Sequence, residues 1–164
     1  MKKHALEYAS WGWAVFPVHT PTGNGCSCYH KECSRIGKHP RISQGRNGAS
    51  TDPETISRWW DVWPDANIGI ATGKESGLVV LDVDDGGEDS LAGKPLPDTI
   101  EQITGSGGRH MLYCRPTDDY RYKTRTKILP GLDSRADGGY IVAPPSLHAS
   151  GDRYDWEGSS DPTE

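Results

Sequence analysis

The 164 residues suffice for one domain or a very small pair, and a core of that size sustains itself without staples. Hydrophobic residues make up 34% and charged residues 25%, with 18 basic against 23 acidic groups and a net charge of −5. This argues against a protein that holds nucleic acid by bulk charge alone, and against a polybasic membrane binder.

No apolar run is long enough to span a bilayer. The opening Met-Lys-Lys-His-Ala-Leu-Glu lacks the apolar stretch of a signal peptide, so the chain reads as soluble and intracellular. Gly (20) and Pro (12) are spread among strand-like runs, which predicts a loop-rich fold rather than disorder.

His4 to Trp13 reads as an amphipathic helix, with Leu6, Ala9 or Ser10, and Trp13 on one face. Ala14 to Val18 follows as a short edge strand, because Pro17 cannot donate to a ladder. From His19 to Ser50 there is no period of either kind. A helix then opens with Thr51 as N-cap, Pro53 in the first turn and Glu54 three residues on. Ile56, Trp59, Trp60 and Trp63 form its apolar stripe, and Pro64 ends it.

Strands are predicted over 67–71 and 78–83, and residues 85–98 read as an acidic loop or a frayed helix. Two further strands, 100–104 and 110–114, bracket the glycine-rich turn Gly105-Ser106-Gly107-Gly108-Arg109. Residues 140–143 form a strand closed by Pro144-Pro145, and 154–156 a last edge strand before an acidic tail over 151–164. Many strands with few helices, in mixed order, give an α+β class. With no repeat and no linker, residues 1–164 read as one domain, cut from a longer protein.

Charge is uneven. Residues 1–60 carry 8 basic and 4 acidic groups, residues 61–100 carry 2 and 9, residues 101–150 carry 7 and 5, and the tail 1 and 5. The acid excess lies in one internal segment and the tail.

Leu78-Val79-Val80-Leu81-Asp82-Val83-Asp84-Asp85 is the sharpest chemical feature. A strand alternates faces, so Asp82 and Asp84 point the same way, about 6.6–7 Å apart at Cα. Two such carboxylates repel unless a cation lies between them, and hard oxygen ligands suit Mg²⁺ or Mn²⁺. The plainer alternative is a strand-end turn with solvated aspartates. Asp133, two residues before Arg135, is favoured as a third ligand over Asp137, which reads as part of a turn; an ordinary surface ion pair is the other reading.

The turn at 104–110 joins two strands, so it is neither a Walker A loop nor a dinucleotide fingerprint. Its exposed N–H groups, Ser106 and His110 could hold a triphosphate, or it is simply a hairpin with a strand-end histidine. Cys26, Cys28, Cys33 and His39 match the donor types of structural zinc, within a loop over about 20–45. Free thiols are the alternative, and His30 competes with His39 for the fourth place. Cys114 reads as a small buried strand residue. Arg121, Lys123, Arg125 and Lys127 would share one face of a strand, which could follow a phosphate backbone or be a solvated edge.

Taken together, these pieces resemble the bifunctional DNA primase/polymerase N-terminal domain of phage and plasmid replication proteins, in the archaeo-eukaryotic primase superfamily. The resemblance rests on Trp59-Trp60-x₃-Pro64-x-Ala66-Asn67-Ile68-Gly69-Ile70-Ala71-Thr72-Gly73, on Ser76 to Asp84, and on Thr104 to His110. Gly131-Leu132-Asp133-Ser134-Arg135, the run Gly138 to Ser146, and Gly37-Lys38-His39-Pro40 extend it over nearly the whole chain.

The resemblance implies a primase-polymerase core with a mixed, largely antiparallel sheet, flanking helices and a zinc-binding loop. It also implies template-directed nucleotidyl transfer with two Mg²⁺ or Mn²⁺ ions on Asp82, Asp84 and Asp133. His110, Ser106, Arg135 and more weakly Lys38 would contact the incoming triphosphate. DNA template and primer, ribo- or deoxynucleoside triphosphates and a helicase domain in the same parent chain are the implied partners, in the cytoplasm of a bacterial host. A non-catalytic zinc-stabilised DNA-binding domain and a metal-dependent nuclease are the competing readings. Two departures stand out: Gly108 occupies a position where relatives often carry Ser, and the acidic pair is Asp-x-Asp rather than Asp-x-Glu.

Overall fold

The computed structural model describes residues 1–159, so the last five residues of the acidic tail lie outside the described residues. The first helix, α1 (Lys2–Ser10), buries Ala5, Tyr8 and Ala9. It stops three residues short of Trp13. Gly12 turns into the left-handed region at φ 83°, and the Trp13 amide donates back to the Tyr8 carbonyl at 3.1 Å. Trp13 is still buried, but as the lead into β1 (Val15–Val18) rather than on the helix face.

The loop that shows no period holds a two-stranded ribbon, β2 (Pro21–Thr22) with β3 (Gly25–Cys26), and a 3₁₀ turn over Gly45–Gly48. Helix α2 (Pro53–Val62) is capped by Asp52, not Thr51. The Asp52 carboxylate accepts from the Thr55 amide at 2.9 Å, and Pro53 sits where no amide is needed. The cap moves by one residue because Asp beside Pro fulfils both conditions together. Ile56 and Trp60 are buried, and the Trp60 indole donates to the Ala66 carbonyl at 3.0 Å, tying the helix to the next strand.

Next come β4 (Asn67–Ala71), β5 (Leu78–Val83), the short α3 (Gly87–Leu91), β6 (Ile100–Ile103) and β7 (Arg109–Cys114). The chain continues through β8 (Arg125–Leu129), β9 (Leu132–Arg135), β10 (Tyr140–Ala143) and β11 (Asp155–Trp156). Two sheets result, one of order β1-β4-β10 and one of order β11-β6-β7-β5-β9-β8, and every strand pairing in them is antiparallel. The α+β class and the largely antiparallel sheet are therefore as expected.

Pro17 lies on an edge strand, where its missing donor costs no ladder bond. The main core packs Tyr8, Ile56 and Trp60 of the helical layer, together with Trp13, against Ile68, Ile70, Val80 and Leu112 of the two sheets. Asn67, almost fully buried, stitches distant loops to β4. Its amide nitrogen donates to the carbonyls of Gly37 and Leu147, and its oxygen accepts from the Leu147 amide.

Two expectations are corrected. Cys114 ends β7 exposed to solvent, not buried, because the strand leaves the core at its last residue. The four cations at 121–127 do not share a strand face. β8 begins only at Arg125, Lys127 adopts φ 54°, and the pairing with β9 slips between Arg125 and Leu129. Every residue of β8 is exposed, as suits the edge strand of its sheet.

Candidate active site

Antiparallel register brings residues far apart in the chain into one row across the larger sheet. Gln102 of β6 is paired with His110 of β7, His110 with Asp82 of β5, and Asp82 with Asp133 of β9. The side chains follow the same order. Gln102 Nε2 lies 2.7 Å from His110 Nδ1, and His110 Nε2 lies 3.1 Å from Asp82 Oδ1. Arg135 closes the row: its Nη2 donates at 2.8 Å to Asp82 Oδ2 and at 2.8 Å to Asp133 Oδ2.

Asp84 follows the end of β5, anchored where its amide donates to the Gly131 carbonyl at 2.8 Å. Together with Asp82 it lines a cleft of about 330 Å³, which also receives His110, Ser106, Arg135 and Lys38. That volume lies in the range of about 300–1,000 Å³ usual for small-ligand sites. Six of the seven residues expected at the catalytic and nucleotide sites therefore meet in one cleft. Asp133 stands just behind: one of its oxygens is covered by Arg135 and the other accepts from the Lys127 amide at 2.7 Å. Asp137 lies elsewhere, bonded to Arg115 and to the Lys74 amide.

The carboxylates differ in electrostatics. Burial pushes Asp82 up, but bonds and attraction from His110 and Arg135 outweigh it and leave Asp82 at about 2. Asp84 moves the other way. Desolvation in the cleft raises it first, and the neighbouring Asp82 and Asp133 charges raise it further. Its negative charge is thus poorly compensated, which is the condition under which a hard cation binds. Mg²⁺ takes one or two carboxylates and fills the rest of its shell with water and phosphate oxygens. The donor set of Asp82 and Asp84 fits that requirement. The three aspartates do not close into a cage, for among the described residues the group that brings its ligand atoms within 4.8 Å of one another is the cysteine cluster.

That cluster is Cys26, Cys28, Cys33 and His39. His39 Nε2 lies 3.4 Å from Cys26 Sγ and 3.5 Å from Cys33 Sγ. A zinc tetrahedron with bonds of about 2.0–2.3 Å has edges of roughly 3.3–3.8 Å, so the Cys3His group could hold zinc as it stands. Burial raises the Cys26 thiol, but backbone hydrogen bonds at Gly37 and Cys28 and bonds with the other thiols bring it below its ordinary value. Cys33 moves the other way: a backbone hydrogen bond at Arg35 lowers it, but desolvation and its neighbours Cys28 and Cys26 outweigh that and raise it, so the thiols share their protons unequally. His30 is exposed and stands apart from the group.

Sequence reasoning missed several cleft residues. Arg35, between Cys33 and His39, lines the cleft beside Lys38, and its guanidinium donates to the Tyr140 hydroxyl at 3.3 Å. Tyr140 in turn donates to the Lys38 carbonyl at 2.7 Å, clamping the cysteine loop onto β10. The signal for Arg35 was present: it is a cation inside the loop that already offered Lys38. Tyr154 also lines the cleft, buried, with its phenol pushed up by burial and by the Asp82 and Asp84 charges. Nothing in its local pattern distinguishes it from an edge-strand tyrosine.

The glycine turn leaves no room for a side chain at Gly108. A Cβ there would lie 2.6 Å from the Val83 carbonyl oxygen and 3.3 Å from Asp84 Oδ1. The end of β5 packs directly on this backbone. Ser106 holds the neighbouring polar position, 3.1 Å from the Thr104 hydroxyl.

No curated protein matches the chain. The family model for the N-terminal domain of bifunctional DNA primase/polymerases matches residues 5–164. With that match spanning nearly its whole length, the chain belongs to the Prim-Pol family, whose activity is that of a primase/polymerase nucleotidyltransferase.

Proposed function

We propose that the domain extends a primer on a DNA template by nucleotidyl transfer assisted by two divalent cations, Mg²⁺ or Mn²⁺. The observation that carries this reading is the shared cleft of Asp82, Asp84, His110, Ser106, Arg135 and Lys38. It sets two acidic side chains with unequal proton affinities beside four side chains that can donate. When bound, such cations lower the pKa of a 3′-hydroxyl and stabilise the charge on departing pyrophosphate.

The residues divide the remaining work. Asp82 and Asp84 would hold the cations, with Asp133, joined to Asp82 through Arg135, in reserve as a third carboxylate behind them. His110, the Ser106 hydroxyl, Arg135 and Lys38 donate to the oxygens of the incoming triphosphate. The pairing in which a planar guanidinium meets phosphate is among the stronger charge-assisted contacts. Cys26, Cys28, Cys33 and His39 would hold zinc, which would order the loop that carries Lys38, since a loop of short strands and turns has little core of its own.

Labelled primer–template with metal and nucleotides tests the reading. Wild type lengthens the primer, and the double variant Asp82→Ala, Asp84→Ala does not. Full extension by that variant overturns the proposal. Retardation of the substrate without synthesis would identify a DNA-binding module, and shortening a nuclease.

A further inference from the structure

Gln102 belongs to the polar row but lies outside the cleft, fully buried in β6. Its amide nitrogen makes two contacts. One is to the Val142 carbonyl oxygen at 2.8 Å and the other to His110 Nδ1 at 2.7 Å. A backbone carbonyl only accepts, so the end of the amide facing it must be the NH₂ group. With one of its hydrogens committed to Val142, the second points to Nδ1. That nitrogen must then present a lone pair, and the ring proton sits on Nε2.

We propose that Gln102 is a positioning residue that fixes His110 as the Nε2–H tautomer, so that the imidazole meets the cleft as a hydrogen-bond donor. The far nitrogen faces Asp82 Oδ1 at 3.1 Å, an acceptor for that proton. The Gln102 carbonyl oxygen has no hydrogen-bond partner among the described residues. A leucine or methionine would avoid that cost and fill similar space, but neither could donate to Nδ1. The amide is thus held by its two donor contacts, at the expense of its acceptor. A donor at Nε2 suits an anionic ligand; its use toward triphosphate oxygens rests on the nucleotidyl-transfer reading above. The assignment of the tautomer does not.

Nitrogen-15 ring spectra of the full chain, zinc-loaded and free of Mg²⁺ and Mn²⁺, test the assignment directly, with His110→Asn identifying the signal. The expected pattern for wild type is a ring that carries its proton at Nε2 and presents a lone pair at Nδ1. Gln102→Leu should turn it into a mixture of tautomers. It should also weaken equilibrium binding of ATP with Mg²⁺ by about tenfold, the loss of one oriented donor. A wild-type proton on Nδ1 overturns the inference whether or not any variant folds, and so does an unchanged ring pattern in a folded Gln102→Leu. If the pattern shifts as expected but wild type binds no nucleotide, the role of Gln102 stands and the reading of the cleft as a nucleotide site falls.

Discussion

Asp82 and Asp84 sit two residues apart, yet neutralising them should move stability in opposite directions. Asp82 lies near 2 in the folded protein because His110 and Arg135 bind its charged form despite burial. Against an unfolded value near 3.9, that depression contributes about 2 kcal/mol at neutral pH. The sign follows from the depression: the contribution is complete above the unfolded value and fades as pH falls toward about 2.

Asp84 is raised, first by desolvation and then by Asp82, so its ionisation opposes folding at neutral pH and the penalty is relieved by acid. Zinc-loaded and without Mg²⁺ or Mn²⁺ at pH 7, Asp82→Asn should lower the unfolding temperature by about 4–8 °C, from 2–4 °C per kcal/mol at this chain length. Asp84→Asn should raise it. The gap between wild type and Asp82→Asn should close between pH 5 and pH 2. Thermal unfolding followed by circular dichroism reads all three effects. Should Asp84→Asn prove as destabilising as Asp82→Asn, the assignment of attraction to one carboxylate and repulsion to the other would be refuted.

Three further outcomes are expected. Metal analysis should find one zinc per chain in wild type and in His30→Ala, and less in His39→Ala and Cys28→Ser, because His30 stands apart from the cluster; equal zinc in the two histidine variants would contradict the grouping. Gly108→Ser should cost about 1–3 kcal/mol in denaturant unfolding, since its Cβ would meet the Val83 carbonyl at 2.6 Å. Trp60→Ala should cost about 3–5 kcal/mol by the same measurement, because it empties a site that is 2% exposed and removes the donor to Ala66.

Local pattern was enough to find the elements that bear the acidic pair. The run of apolar residues before Asp82 gave β5 at its observed bounds, and the Asn67–Ala71 strand was equally clear. Helix ends were less legible, because Thr51 and Asp52 are both good caps and only the bond to Thr55 decides between them. The glycine turn was legible as a hairpin, whereas the space that forces Gly108 comes from the end of β5 packing on it. Gln102 was invisible for a stronger reason. A glutamine in a short strand has no distinguishing spacing, and its meaning depends on cross-strand register with His110. The break at Lys127 was hidden likewise, because alternation of cations in sequence does not reveal a left-handed residue.

The net charge of −5 illustrates the difference between a sum and a field. Within the acidic segment 61–100, Asp61 pairs with Lys2, Glu75 with Arg46 and Glu88 with Arg109. Those groups neutralise one another at the surface, where each pair contributes little to stability. Asp82 pairs with Arg135 and faces His110 Nε2, but Asp84 is not matched in the same way. The charge that governs the cleft is therefore a local one, beside Lys38 and Arg35 from the cysteine loop. A divalent cation at Asp84 would reverse the sign of the potential there, and a polyanion would then meet a cleft lined by donors. Substrate affinity should accordingly respond to divalent metal far more than the overall charge suggests, and should weaken as salt screens the exposed cations of the loop.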